Sequence, residues 1–556
     1  MARASRRDRV AAPLAWAAGV AAVALGAGLG ELVAAVVSPS SSPVAAIGGA
    51  LIDLAPPWAK DAAIALFGTG DKAALLTGIA IGMIVLAALA GWLEARVPPW
   101  GVVVVAAFGT GGAIIAVTRP GAGALAWLPA VVAGAVGAVA LGLLVRMLRP
   151  RPAETPAAPA GTESDPQERT GAETRRLVPA HDGVSHPPSA PADPREPAAS
   201  PPSRRAFFAW AGAATAVGVL AIAIGGLRTT ASAGVAAARR ALRLPEPRMA
   251  ASPAPAGAEL DLPGLARVVT PNDRFYRIDT ALIVPELDPA DWRLRIHGMV
   301  AHEVELTWDE LLALPLQESW TTLTCVSNEV GGDLIGNARW LGYPVRELLA
   351  RAVPDADADM VLSRSIDGFT ASTPLEALTD ARDAILAVGM NGEPLPLEHG
   401  FPVRMVVPGL YGYVSATKWV VDLEVTRFDR ATAYWTTRGW SARGPIKLES
   451  RIDVPRRGQG LKAGEVVIAG VAWQQQVGID AVEVRIDEGE WRPATLAAAI
   501  SDDTWVQWSM PWAADKGDHV IQCRATSKAG EVQTDEVAPP APDGATGWHW
   551  RTVSVF

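Results

Sequence analysis

Cysteine is scarce in this chain of 556 residues, which contains only Cys325 and Cys523. Two thiols so far apart in sequence form neither a disulfide framework nor a zinc knuckle, so each acts alone or is inert. No basic block is longer than a few residues and the net charge is −9, which argues against nucleic acid as a partner. No histidine precedes His181, which excludes haem held by a histidine pair in the first quarter of the chain.

Apolar sequence, in contrast, is abundant, because half of all residues are hydrophobic. Five runs with few charges are each close to the roughly 20 residues that cross hydrocarbon. They cover residues 13–37, 73–92, 101–117, 125–145 and 206–227. We therefore predict five membrane-spanning helices. The stretch SPVAAIGGALIDLAPPW, between the first two runs, is too short to span and is broken by two prolines, which predicts an interfacial or re-entrant piece.

Arginines set the expected orientation of these helices. The segments RASRRDR and RMLRPR flank the first and fourth runs, and Arg204 and Arg205 precede the fifth. The positive-inside rule then puts the N-terminus in the cytoplasm of a multi-pass plasma-membrane protein and everything after Leu227 outside. The motif SRRAFF also resembles a twin-arginine signal, which implies the twin-arginine translocase as a partner. The alternative is that the two arginines only flank a span.

Composition divides the chain into five segments. Residues 1–149 are expected to form a four-helix membrane domain, and 150–203, rich in Pro, Ala, Glu, Ser and Thr, a disordered cytoplasmic linker. Residues 204–228 form the fifth helix with its twin-arginine-like motif. Strands and short helices alternate over 245–430, which predicts an α+β domain, and strand follows strand over 431–556, which predicts an Ig-like β-sandwich.

Several motifs occur in order along the part of the chain that follows the last apolar run. They are TPNDRFYRIDTALIVPELDPADWRLRIHG, TLTCVSN, ARWLGYPVRELL, GMNGEPLPLEHGFPVRMVVPGLYGYVSATKW and GVAWQQQVGIDAVEVRIDEGEW. The ordered set resembles the sulfite oxidase family of molybdopterin-dependent oxidoreductases, in a membrane-anchored bacterial form. The resemblance covers roughly residues 265–550. It implies a sulfite oxidase-like molybdopterin-binding domain over 245–430 and a dimerisation-type domain after it, so a homodimer is a further expectation.

The resemblance implies that Cys325 is the metal ligand of a molybdenum–molybdopterin cofactor (Moco). A soft thiolate suits such a metal, and one is enough because the pterin supplies two more sulfurs. The alternative is a buried, inert thiol, which is our interpretation of Cys523. The same resemblance implies cofactor contacts from Tyr276, Arg277, Asp367, His399, Arg404, Thr417 and Lys418. Their alternative is an ordinary role in turns and packing.

Departures from the family pattern bear on the substrate. Where the family has arginines and a tyrosine around its oxyanion, this chain has Glu329 or Val330, Ala481 and Trp440, and Arg438 keeps a basic group nearby. We therefore predict that Cys325, Trp440 and Arg438 line a catalytic pocket for a small substrate other than sulfite.

The resemblance implies oxygen-atom transfer, with electrons exchanged with a separate carrier that is a cytochrome or is linked to quinone. Two alternatives remain open at this point. One is a reductase of sulfoxides or N-oxides, and the other is a non-catalytic cell-envelope scaffold that retains the fold without metal.

Overall fold

A computed structural model of the chain describes residues 12–37, 41–54, 71–119, 122–149, 204–227, 230–281 and 283–556. The predicted linker, 150–203, lies outside these residues, as do the basic residues at the start of the chain. The two prolines at 56 and 57 also lie outside them.

Five helices in the described part of the chain are long and apolar enough to cross a membrane, which confirms that the five predicted runs form helices of spanning length. A helix of 12 residues occupies the stretch between the first two runs, too short to span. In chain order the helices are α1 (Ala12–Val37), α2 (Pro43–Leu54), α3 (Asp71–Arg96), α4 (Trp100–Thr118), α5 (Leu128–Leu148) and α6 (Arg204–Leu227).

Helix α1 lies against α3, α5 and α6. Gly19 of α1 packs on Gly91 of α3, and Gly28 of α1 packs on Gly218 of α6. A Cβ atom at any of these positions would overlap the backbone of the neighbouring helix. Small residues let helix backbones approach closely in a membrane. The fifth apolar helix is therefore packed against the N-terminal group.

The next part of the chain combines short helices with two sheets, in agreement with the α+β expectation. One sheet has the order β2-β1-β10-β5-β6, and the other has the order β3-β4-β7-β8 with β9 paired to β7. Helix α9 buries its positions i, i+3, i+4 and i+7, which is the pattern of a helix packed on a core. The helices are α7 (Thr230–Ala241), α8 (Trp308–Ala313), α9 (Val345–Ala352) and α10 (Leu375–Thr379). The strands are β1 (Arg293–Gly298), β2 (Val304–Thr307), β3 (Gln317–Thr324), β4 (Ile335–Pro344), β5 (Met360–Ser365), β6 (Thr370–Pro374), β7 (Ile385–Met390), β8 (Glu393–Pro394), β9 (Arg404–Val406) and β10 (Val420–Thr426).

Two further sheets form the C-terminal part and enclose one apolar core. Their orders are β11-β13-β17-β16 and β12-β19-β18-β14-β15. Trp508 and Cys523 are fully buried in this core. The strands are β11 (Glu449–Val454), β12 (Gly460–Leu461), β13 (Gly464–Trp473), β14 (Ile479–Ile486), β15 (Arg492–Pro493), β16 (Thr495–Leu496), β17 (Val506–Ala514), β18 (Gly517–Ser527) and β19 (His549–Val555).

Candidate active site

Cys325 directly follows β3, and its backbone N–H donates to Leu334 O at 3.0 Å, which closes the loop between β3 and β4. The residue is 8% exposed, and its Sγ lies 2.9 Å from Ser327 Oγ. Burial raises the pKa of the thiol, while the hydrogen bond to Ser327 lowers it. A thiolate at this position therefore needs a nearby positive centre, such as a metal ion, to be stable.

The strand that leads to Cys325 is held by the C-terminal part of the chain. Gln475 Nε2 donates to Thr322 O at 2.9 Å and to Thr324 Oγ1 at 3.2 Å. The backbone N–H of Trp505 donates to Thr322 Oγ1 at 2.9 Å. These buried contacts fix Thr322 and Thr324, which lie three positions and one position before the thiol. Sequence reasoning quoted WQQQ as part of a motif but gave Gln475 no role.

One turn brings three of the predicted cofactor residues together. A short 3₁₀ helix, Leu397–His399, ends at Gly400, whose φ of +109° favours glycine. A Cβ atom on Gly400 would lie 3.0 Å from Arg404 Cβ and 3.1 Å from Lys418 Cβ, so the chain packs tightly here. His399, Arg404 and Lys418 therefore surround one glycine.

Arg404 is a buried cation without a carboxylate partner among the described residues. It is 5% exposed, and its guanidinium lies 5.1 Å from the ring of Trp340. Within the residues that the structure describes, its N–H groups donate only to backbone carbonyls, those of His399 (3.1 Å), Met405 (3.3 Å) and Ala416 (3.4 Å). Burial lowers its pKa to about 10, so it stays charged at neutral pH. Because burying an uncompensated charge is costly, this position suits a bound anionic group.

His399 is neutral at ordinary pH. Burial, and after it the charge of Arg404, lower its pKa to about 4. Its Nε2 lies 3.1 Å from the carbonyl oxygen of Asn272, which can only accept, so Nε2 carries the proton and Nδ1 is an acceptor. Phe275 packs edge-on against the imidazole with ring centroids 5.6 Å apart. His399 therefore offers a hydrogen-bond acceptor rather than a positive charge.

Lys418 and Arg277 share one acid that sequence reasoning missed, Asp279. Lys418 Nζ donates to Asp279 Oδ2 at 2.6 Å, and Arg277 Nε donates to the same oxygen at 2.8 Å. Lys418 also donates to the carbonyl of Glu398 at 3.0 Å. Burial lowers the pKa of Lys418 to about 8, although Asp279 opposes the shift. Only part of the positive charge of this pair is therefore available to a ligand.

Tyr276 interacts electrostatically with both the thiol of Cys325 and the buried Arg404. Burial raises the pKa of its phenol, Cys325 raises it further and Arg404 lowers it. A Cβ atom on Gly412 would lie 3.8 Å from Thr324 O and 3.9 Å from the phenol oxygen, which places Tyr276 beside the end of β3. The phenol is protonated at neutral pH and can donate one hydrogen bond here.

Two other predicted contacts have local partners. The hydroxyl of Thr417 lies 2.7 Å from Ser363 Oγ in the core. Asp367 accepts a hydrogen bond from the backbone N–H of Phe369 at 3.1 Å, in the turn between β5 and β6. Such a bond is the usual work of an aspartate in a turn. A cofactor role for either residue remains a prediction.

Trp440 and Arg438 belong to an aromatic cluster that follows β10. The ring of Trp440 lies 6.0 Å from Tyr413 and 6.2 Å from Trp435. Arg438 stacks on Tyr434, with its guanidinium carbon 3.5 Å from the ring centre. Tyr413 directly follows Gly412, which lies close to Thr324 at the end of β3. The aromatic cluster is therefore connected to the end of β3. The catalytic roles of Trp440 and Arg438 remain predictions.

The loop after Cys325 also meets arginines that sequence comparison did not identify. Arg451 donates from Nη1 to Gly332 O at 2.7 Å, and from Nε to Asp453 Oδ1 at 2.7 Å. A cavity of about 590 Å³ is lined by residues of this loop, among them Glu329, and by residues of β19, among them Arg551. Ala481 lies in β14, paired with Thr526. The role of Arg438 as the basic group near the pocket stays a prediction.

Comparison with known proteins agrees with this geometry. The family model described as "Oxidoreductase molybdopterin binding domain" matches residues 281–435, which include Cys325, His399 and Arg404. Mitochondrial sulfite oxidase of Macaca fascicularis is 31% identical over 339 residues, covering 52% of this chain and 62% of that protein. The chain therefore spans less than two thirds of the length of the mammalian mitochondrial sulfite oxidases that it matches.

A shorter relative is covered more fully. The uncharacterized oxidoreductase YuiH of Bacillus subtilis is 32% identical over 157 residues, which are 28% of this chain and 76% of that protein. The crystal structure of the sulfane dehydrogenase SoxCD from Paracoccus pantotrophus overlaps 52% of this chain and 83% of its own, with a TM-score of 0.46 and 23% identity. From the sequence matches, the chain belongs to the sulfite oxidase family of molybdopterin-dependent oxidoreductases.

Proposed function

We propose that the protein is a membrane-anchored, extracytoplasmic oxidoreductase that transfers an oxygen atom to or from a small substrate with the help of Moco. The observation that carries this proposal is the buried Arg404, which has no carboxylate partner among the described residues and lies in the same site as a single buried thiol. The donor set fits the cofactor, because a thiolate suits molybdenum and a guanidinium suits a phosphate. When bound, the cofactor supplies two-electron oxygen-atom chemistry.

Each residue of the site has a defined part in this proposal. Cys325 holds the metal through its thiolate. Arg404 and Lys418 offset the negative charge of the pterin phosphate, and the pairing of Lys418 with Asp279 limits the total positive charge. His399 accepts a hydrogen bond at Nδ1 because its Nε2–H is used by a backbone carbonyl. Tyr276 donates a hydrogen bond beside the thiol.

The substrate we propose is neutral or cationic and partly apolar or aromatic, rather than sulfite. Desolvating a dianion without fixed positive charge costs several kcal/mol. Glu329 in the loop after Cys325 is exposed and would repel a dianion, and the charge of Arg451 is offset by Asp453. Assays with an artificial electron carrier test this: sulfite oxidation with a kcat/KM above about 10⁵ M⁻¹s⁻¹, an ordinary value for a cognate substrate, would contradict it.

We further propose that the N-terminus and the linker are cytoplasmic and that the part after α6 is exported by the twin-arginine translocase. The packing of Gly28 on Gly218 supports insertion of α6 beside the first four apolar helices. A reporter fused after Phe556 is expected to be active only outside the cytoplasm. The C-terminal sheets are proposed to form an Ig-like sandwich that supports a homodimer, and electrons to pass to a separate cytochrome or quinone-linked carrier.

Cofactor analysis of the full chain tests the function directly. The purified wild-type protein should contain molybdenum and pterin, whereas a non-catalytic scaffold would contain neither. Arg404→Met should lower the cofactor content at least about tenfold, because a phosphate loses a charge-assisted hydrogen bond. Arg492→Met is the matched control, since Arg492 lies exposed on β15. Equal cofactor content in both variants would contradict the role of Arg404.

A further inference from the structure

Helix α7, which joins the last apolar helix to the catalytic part, packs directly on the core of the candidate site. It begins at Thr230, close after α6 ends at Leu227. Its Val235 is 5% exposed and lies in the same apolar cluster as Phe275 and Trp340. This short segment is therefore part of the folded catalytic region.

The neighbours of Val235 in that cluster touch the predicted cofactor residues. Phe275 packs edge-on against Trp340, with ring centroids 5.7 Å apart, and against His399, at 5.6 Å. Trp340 lies under the guanidinium of Arg404. A continuous set of contacts therefore runs from α7 to His399 and Arg404.

A second, polar connection comes from Arg239 near the end of α7. Its Nε donates to Leu395 O and its Nη2 to Pro394 O, both at 2.7 Å. The same Nη2 lies 3.6 Å from a carboxylate oxygen of Glu393. The two carbonyls come just before the turn that contains His399. A planar guanidinium can hold two neighbouring carbonyls at once, whereas an ammonium group cannot match this geometry.

We propose that Arg239 is a positioning residue for the cofactor site, acting through the backbone of Pro394 and Leu395 on the turn that carries His399. This inference rests on the proposed function. By this account the membrane anchor does more than hold the enzyme near the lipid, because its first extracytoplasmic turns complete the support of the cofactor. Loss of the Arg239 contacts should loosen the turn and speed cofactor release without changing any residue that touches the cofactor.

The test compares full-length variants in detergent. Loaded protein is desalted, and the pterin that remains bound is measured over time by its fluorescence after extraction. Arg239→Ala should release pterin about tenfold faster than wild type, because two hydrogen bonds from a charged group are lost. Arg239→Lys should give a partial rescue. Arg240→Ala, on the same helix but at an exposed position, should behave as wild type.

A further control separates positioning from general stability. Leu242→Ala removes apolar packing of the same segment without touching the two carbonyls. If it speeds release as much as Arg239→Ala at a matched loss of thermal stability, the role of Arg239 is only structural and the inference fails. Equal rates of pterin release from Arg239→Ala and Arg240→Ala would also overturn this inference, but not the proposed function. A wild-type protein without pterin would overturn the proposed function and this inference together.

Discussion

The two thiols of the chain are both buried, yet their surroundings differ. Cys523 is 0% exposed in the apolar C-terminal core, where burial raises its pKa to about 12. Cys325 is 8% exposed, and the pKa of the neighbouring Tyr276 responds to both Cys325 and Arg404. Burial alone therefore does not mark a ligand. What distinguishes Cys325 is a buried cation in the same site that lacks a carboxylate partner among the described residues.

The catalytic region and the C-terminal region also differ in the charge state of their buried titratable groups. The catalytic region buries Arg404 and Lys418, which remain charged at neutral pH. The C-terminal region buries Glu449, whose Oε2 has no hydrogen-bond partner in the described part of the chain and whose pKa burial raises to about 8. An acid with that pKa is neutral in the folded protein at pH 7. The charged Arg404 and Lys418 make the catalytic region suited to an anionic ligand. In the C-terminal region, Glu449 avoids a buried charge by staying protonated.

The largest expected effect separates the two thiols. Cys325→Ser should reduce turnover to background and leave the fold intact, because a hard oxygen replaces the proposed metal ligand. Cys523→Ser should keep turnover but lose about 1–3 kcal/mol of stability, because a more polar hydroxyl replaces a fully buried thiol that accepts a hydrogen bond from Ser450. Turnover and urea unfolding of both full-length variants check this. Loss of turnover in Cys523→Ser at temperatures where the variant is folded would contradict the proposed difference between the two thiols.

Glu449 should make stability depend on pH. Its pKa rises from 4.5 to about 8 on folding, so the folded state holds a proton that the unfolded state releases. The resulting stabilisation is complete below pH 4.5 and is lost as the pH rises through about 8. Between these values wild type should lose about 1 kcal/mol per pH unit relative to Glu449→Gln, which cannot ionise. Parallel stability profiles of the two proteins would contradict the shift.

Lys418 should give a smaller effect, on cofactor retention. Its pKa of about 8 means that it is charged below that pH and neutral above it. Retention of pterin should therefore fall about tenfold from pH 7 to pH 9, as one charge-assisted contact to phosphate is lost. Lys418→Arg keeps the charge throughout this range. A pH dependence that persists unchanged in Lys418→Arg would assign it to another group.

Features that depend on residues close together in the sequence could be predicted from it. Run length and hydropathy gave the five apolar helices, and the motif around Cys325 gave the thiol that the structure places beside Tyr276. The pairing of Lys418 with Asp279 and the hold of Gln475 on β3 were missed, since both join residues more than a hundred positions apart. No period or motif in a single sequence encodes such a pairing.

The assignment of Trp440 and Arg438 to the pocket rests on loops and stays a prediction. Both were assigned to the pocket by matching loops, where a shift of one or two residues changes which side chain faces the site. The structure packs them with Tyr413, Trp435 and Tyr434, and their catalytic roles stay predictions. Loop positions are set by the elements that they join, and here those elements come from two separate cores.

The central claim is that Cys325 supplies the one protein sulfur bound to molybdenum. X-ray absorption at the molybdenum edge, on full-length protein loaded with cofactor, counts the sulfur neighbours of the metal. We expect one sulfur neighbour fewer in Cys325→Ser than in wild type, and an unchanged number in Cys523→Ser. An unchanged number of sulfur neighbours in Cys325→Ser would contradict this claim.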